Sequence, residues 1–351
     1  MTRYGWWENT VTTHSDLRAA TLSTLRRTVD VDEDAGVAPA VSLMRVSGGV
    51  GRNLAAVTAS LADVHVRTTP RGWELTAHPS LESRRTSGYL REVWDLAEEL
   101  LPGCAERVLV HVLGPWSMGA QLEYRGHSVI ADRPAFKDMA LTMGEALREY
   151  AERLGTALGA EVSIAVHEPE VCSVIDGLPG ATRFDGLDPV DPEIITGVWR
   201  RFVGQVGVPC VLTCDGAVPD ALIGVNSGAD AIGDLCATGF CRIEFPFAQL
   251  GASTTVTDAI GSLVGGAMGT GVGIGVSVPD SVLNSRSATA IERAAEKTSK
   301  NILCQWSQWT LPPEMLSTCV DVTVPEGIRT PEEAICAAAI ARCAAHMLRN
   351  Y

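Results

Sequence analysis

From about residue 37 the chain alternates between two hydrophobic rhythms. Short, β-branched apolar runs stand at 41–46, 107–113, 161–166, 209–213, 229–234, 272–278 and 319–324. Such runs have the character of strands buried on both faces. The stretches between them carry apolar residues at helical spacing, at 134–158, 191–206, 219–227, 285–303 and 330–348. The last opens on Thr330-Pro331-Glu332-Glu333, a hydroxyl cap followed by proline and two acids, and places Ile335, Ala339, Ile340 and Met347 along it. Upstream, Leu17, Leu22, Leu25 and Val29 predict a helix over 15–29 with Ser15 as its cap, and an acidic run, Asp30 to Asp34, follows.

Repeated strand-then-helix units predict a parallel sheet with helices on its surface. An open dinucleotide-binding sheet would need GxGxxG after its first strand; the glycine-rich stretch Gly269 to Gly275 comes in a late unit and leads into a strand. No GxxxxGK[ST] loop occurs. The expected fold is therefore an α/β protein, a (β/α)8 TIM barrel with an N-terminal helical arm. Residues 1–36 are read as arm and acidic linker, and residues 37–351 as the barrel. Trp6 and Trp7 are expected to dock the arm onto the barrel or a partner. Residues 259–279 carry no charge, but their glycines and missing basic flanks predict a helix end, a turn and a buried strand, not a membrane span.

Composition narrows the classes. Apolar residues make up 46% and charged residues 20% of the 351 residues, which suits a soluble globular protein. The net charge of -14 opposes binding to nucleic acid or an anionic membrane, so the expected partner is a small-molecule substrate, in a monomer or homodimer. Ten cysteines without a CxxC pair fit a reducing compartment, and the N-terminal segment lacks the marks of a secretory signal; a cytoplasmic location is expected. The DVDED run lacks the glycine and closing glutamate of a calcium loop.

Barrel chemistry gathers where strands end. Polar residues stand there in turn: His167 and Glu168, Asp215, Asp234, and Glu326. His111 lies within a strand and reads as a core residue, whereas Trp116, just past a strand, is a candidate for stacking on a substrate. Trp306 and Trp309 are expected to close one end of the barrel or to form a subunit contact, and Cys336 and Cys343 to pack within the last helix.

Gly114-Pro115-Trp116-Ser117, Glu168-Pro169 with Leu178-Pro179 downstream, Val208 to Asp215, Gly228 to Asp234, and Val322 to Gly327 stand in an order that resembles the cobalamin-independent methionine synthase family. The likeness is to its C-terminal catalytic barrel and its short single-barrel relatives, and it runs over about residues 38–348. The resemblance implies a TIM barrel, methionine biosynthesis, and 5-methyltetrahydropteroyltriglutamate-homocysteine S-methyltransferase-like chemistry. In that chemistry a zinc ion held by His, Cys, Glu and Cys activates a thiol.

Here those ligand positions read Thr213, Asp215, Asp234 and Glu326. The position implied to hold the substrate ammonium reads His167, and the turn implied to meet its carboxylate falls at Val41 to Met44. Every soft ligand is replaced. The expectation is a divergent metal site of Asp215, Asp234 and Glu326, suited to Mg²⁺, Mn²⁺ or Ca²⁺ in place of zinc, or a metal-free polar pocket. Asp215 and Glu326 are the candidate catalytic groups, and His167, Glu168, Trp116 and Ser42 the candidate substrate contacts. The alternative is a non-catalytic small-molecule-binding or regulatory descendant, because no activated nucleophile is recognisable.

Overall fold

The computed structural model describes residues 5–14, 16–29, 39–43, 45–180, 186–225, 230–270 and 272–350, with side chains left out at 267–270. Twelve strands are described: β1 Trp6–Thr12, β2 Val41–Ser42, β3 Val66–Thr69, β4 Gly72–Leu75, β5 Arg107–Leu113, β6 Leu122–Tyr124, β7 His127–Ser128, β8 Glu161–His167, β9 Cys210–Thr213, β10 Arg242–Pro246, β11 Gly273–Ser277 and β12 Val320–Arg329. The α-helices are α1 Leu17–Thr28, α2 Leu54–Leu61, α3 Leu81–Leu100, α4 Pro115–Gln121, α5 Arg133–Leu158, α6 Val171–Asp176, α7 Pro192–Val206, α8 Ala231–Cys236, α9 Phe247–Leu250, α10 Thr254–Thr270, α11 Ala288–Gln308, α12 Pro313–Cys319 and α13 Pro331–Arg349.

Eight strands form one parallel sheet in the order β1-β12-β11-β10-β9-β8-β5-β2. Its two edges meet where Thr12 N donates to Arg45 O at 2.8 Å and Ser47 N donates to Thr12 O at 2.8 Å. A nearly closed (β/α)8 barrel results, with helices around it. A second, four-stranded sheet, β3-β4-β6-β7, is built from the segments flanking β5 and α4.

The segment expected as an arm is part of the barrel. Trp6–Thr12 pairs in parallel with β12, so the boundary expected at residue 36 falls inside the fold. Alternation along β1 explains its grip: Trp6 faces the main helix-covered core, while Trp7 joins Leu109, Ala165 and Val211 in a separate buried cluster inside the barrel. The Trp7 indole occupies the place of a side chain on β11, since a Cβ added at Gly275 would come within 2.3 Å of it. Glu8 points outward and is clasped by Arg27 of α1, both side chains nearly inaccessible. Ser15 lies outside the described residues; Asp16 caps α1, accepting from Ala19 N.

Residues 229–234 were expected as a strand. From Asp230 onward they form instead the start of α8, with the Asp230 carboxylate capping Gly233 N. The strand of this unit is β10, eight residues further on, whose charged Arg242 and Glu244 both point into the barrel. Residues 219–227 hold only a short 3-10 turn, Asp220–Ile223, among the described residues. The glycine-rich stretch is the end of α10 followed by β11, and no described helix is long and apolar enough to cross a membrane.

Candidate functional site

The barrel interior is layered. At the N-terminal end of the strands Arg242 Nε donates to Asp321 Oδ2 at 2.6 Å, with the rest of the guanidinium bound to the Cys241 and Thr318 carbonyls. Above lies the apolar layer around Trp7. The last layer, facing the C-terminal mouth, is polar: Asn9, Ser42, His111, His167, Thr213, Glu244 and Thr323 are all buried. A cleft of about 380 Å³ opens over it, lined among others by Thr213, Asp215, Glu244, Asp280 and Glu326.

A directed chain of hydrogen bonds runs through this layer. The Ser42 hydroxyl donates to the Glu8 carbonyl at 2.7 Å, so it accepts from His111 Nε2, 3.1 Å away. That leaves His111 Nδ1 as an acceptor for His167 Nε2–H at 2.9 Å. Burial, with Arg45 and His167 nearby, pushes His111 well below the ordinary imidazole range, which keeps it in this neutral form. The fixed carbonyl thus orients both rings, and the remaining nitrogen, His167 Nδ1, faces Asp215 Oδ1 at 2.7 Å and Glu326 Oε2 at 3.6 Å.

Asp215 reaches this position from a left-handed backbone, φ 51, just beyond β9, a conformation that aspartate tolerates better than most side chains. Thr213 Oγ1 steadies the turn by accepting from Asp215 N at 3.2 Å. Glu326 arrives from the long β12 and is held by Arg45, whose Nη2 lies 2.5 Å from Oε1 and whose Nη1 donates to Asn9 O.

Three acceptor atoms therefore converge on one point, and a positive species must sit among them. Burial disfavours a charged His167, but the carboxylates of Asp215 and Glu326 outweigh it and raise the ring above its ordinary value. Burial likewise raises the Asp215 carboxyl, against the pull of His167. Glu326 is also partly buried, yet hydrogen bonds from His167 and Asp215, together with Arg45, hold it below the usual carboxylate range. With a proton on the pair, the charges balance: Arg45 against Glu326, His167 against Asp215.

The thiolate zinc site implied by the sequence resemblance does not fit this donor set. Cys214 is buried, and burial pushes its thiol well up. The one group among the described residues able to gather around a metal ion is His167, Asp215 and Glu326, with ligand atoms within 4.8 Å of one another. One nitrogen and two oxygens would suit a hard divalent ion, which would have to displace the proton from His167.

Of the expected site residues, the fold brings Ser42, His167, Asp215 and Glu326 together. Asp234 is not among them: it lies in the first turn of α8 beside Arg200, 3.6 Å away. Glu168 is turned away from the mouth. Its carboxylate accepts from Trp116 N, Ser117 N and Trp199 Nε1, and burial pushes its pKa up to about 7. It needs the space of a missing side chain, since a Cβ at Gly114 would come within 2.3 Å of Oε1. Trp116 is buried in α4 against Phe136, at a different cavity. Sequence reasoning missed Arg45, Asn9 and Glu244. The signal for Glu244 was present in Arg242-Ile243-Glu244-Phe245, a strand whose alternating residues are charged.

Glu244 accepts from Asn9 Nδ2 at 2.6 Å and Thr323 Oγ1 at 2.5 Å, and burial raises its carboxyl. The Asn9 Oδ1 atom beside it is fully buried and has no partner among the described residues.

No family model matches the sequence, and no curated protein matches it. Among solved structures, the chain is similar to a B12-independent methionine synthase from Shewanella sp. W3-18-1 in complex with selenomethionine. The identity is 13% and the TM-score 0.49, over 95% of this chain and 87% of that one. It is also similar to the Bacillus subtilis YkuI protein, with an EAL domain, in complex with c-di-GMP and calcium. There the identity is 11% and the TM-score 0.30, over 70% of this chain and 55% of that one.

Proposed function

We propose that this chain is a methionine-synthase-like barrel whose mouth binds a small amine-bearing molecule and exchanges a proton with it. Metal-thiolate chemistry has no place in this reading. The observation that carries it is the 2.7 Å contact between His167 Nδ1 and Asp215 Oδ1 at the end of a hydrogen-bonded chain oriented by the Glu8 carbonyl. Position and matched proton affinity are what general acid-base work requires. The choice of an amine rests on the cleft: its carboxylates are Asp215, Glu244, Asp280 and Glu326, no Lys or Arg is among the described residues lining it, and Asn9 Oδ1 beneath them has no donor among the described residues.

Asp215 and His167 are the proposed proton carriers. Ser42 and His111 set the ring tautomer, and Arg45 positions Glu326. Calorimetric titration with small primary amines and with carboxylate analogues of equal size tests the reading. Amines should bind with proton uptake or release that disappears in Asp215→Asn; preference for the anions would overturn it. Elemental analysis of freshly purified protein should find metal well below one equivalent, and growth of a complemented methionine auxotroph would contradict the departure from thiolate chemistry.

A second reading, a ligand-binding protein without turnover, is favoured by the burial of Cys210 and Cys214, which pushes both thiols well up and so disfavours their thiolates. Amine binding without any product formed would select it.

A further inference from the structure

A second cavity lies away from the mouth. About 490 Å³ lies between α5 and α7, with residues 186–190 as a third wall, a volume within the range of ligand pockets, roughly 300–1,000 Å³. The wall is anchored: Leu178 and Leu187 exchange backbone hydrogen bonds at 3.1 and 2.9 Å, and Val190 N donates to Val174 O. The interior is mainly aliphatic, with Ile130, Ala140, Leu141, Val190 and Val198 around the buried rings of Phe136 and Phe202. Ile194, 52% exposed, stands at its edge.

Charge sets this cavity apart from the rest of an acidic chain. Arg133, Lys137 and Arg201 line it, against Asp188 as its one acid. Arg133 and Lys137 stand four apart on α5 and so share a face. None of these three bases is paired with a carboxylate of the described residues, although the chain carries 42 acids against 28 bases. An apolar interior with unpaired cations at its rim is complementary to an amphipathic anion.

We infer that this cavity binds a single-chain aliphatic carboxylate, its tail against Phe136, Ala140, Val198 and Phe202 and its head at Arg133 and Lys137. Arg201 adds to the field that attracts it. The site is separate from the mouth, so it stands or falls independently of the proton-transfer reading.

Displacement of the fluorescent anion 8-anilinonaphthalene-1-sulfonate from the full-length protein provides the test. Sodium decanoate, below its micellar concentration, should displace the dye at concentrations about tenfold lower than decanol does, while decylammonium should not displace it. The double variant Arg133→Glu/Lys137→Glu, both exposed positions, should raise the decanoate concentration needed several-fold while leaving the melting temperature unchanged. Asp215→Asn should leave decanoate binding as it was. Equal displacement by decanol or decylammonium, an unaffected double variant, or loss of binding in Asp215→Asn would each overturn the inference.

Discussion

At the scale of single residues, the site depends on one backbone carbonyl. Glu8 O fixes the Ser42 hydroxyl, which fixes His111, which fixes His167. Asp215→Asn removes the carboxylate that holds a proton on His167, so the ring should titrate lower; ¹⁵N spectra of the histidine rings should show it neutral at a pH where the parent is still charged. Glu168→Gln places an amide NH₂ against backbone N–H groups that now meet a carboxylate. Leaving such donors unsatisfied should cost about 1–3 kcal/mol in urea unfolding without altering the mouth. His167, Asp215 and Glu326 were legible in the sequence because each stands just past the end of an apolar run, and Ser42 through the turn that the family resemblance implied. Arg45, Asn9 and Glu244 were not, for a physical reason: Arg45 follows a strand of two residues, Asn9 sits at a register shift in a segment read as an arm, and Glu244 belongs to a strand whose inner face is the charged one.

At the scale of elements, the decisive feature is β1. Two adjacent tryptophans suggested a docking arm, whereas strand alternation sends one ring to each side of the barrel wall. Removing residues 1–14 should therefore abolish cooperative unfolding altogether, as read by circular dichroism on heating. Gly275→Val would force a branched side chain into the space of the Trp7 indole, and overpacking of this kind costs about 1–3 kcal/mol or more. Helices were the most legible elements: Pro331–Arg349 carries the capping box that Thr330 and Glu333 announce, and α5 and α7 end on left-handed Gly159 and Gly207. The failure at 229–234 has the same origin as the missed Glu244. An apolar run of six is too short to tell strand from helix, and the Asp230 cap decided it.

At the scale of the whole molecule, several buried groups bind protons more tightly in the fold than in the open chain. Glu168 moves from 4.5 to about 7, and His167 rises from 6.5. Stability contributed by the His167 proton is present below pH 6.5 and lost as pH rises through the folded value. The raised Glu168 acts in the same direction between pH 4.5 and about 7, on the order of 3 kcal/mol. Glu326, held low, works the other way, losing its contribution only as pH falls below 4.5. His111, held neutral by burial, works against both His167 and Glu168 below pH 6.5, so the Glu168 contribution is read as a difference: the urea midpoint of the parent, relative to that of Glu168→Gln, should be lower at pH 8 than at pH 5.

The pairing of β1 with β12 also orders events during synthesis. Trp6 pairs with Val322 and Trp7 with Thr323, so β1 leaves the ribosome long before β12, its neighbour on that side. Until then two tryptophans and an unpaired strand edge are exposed on the nascent chain, the kind of surface that chaperones bind. A circular permutant that begins after α1 and carries β1 beyond α13 would make the partners contemporaries, and should yield more soluble protein in cells with limited chaperone capacity.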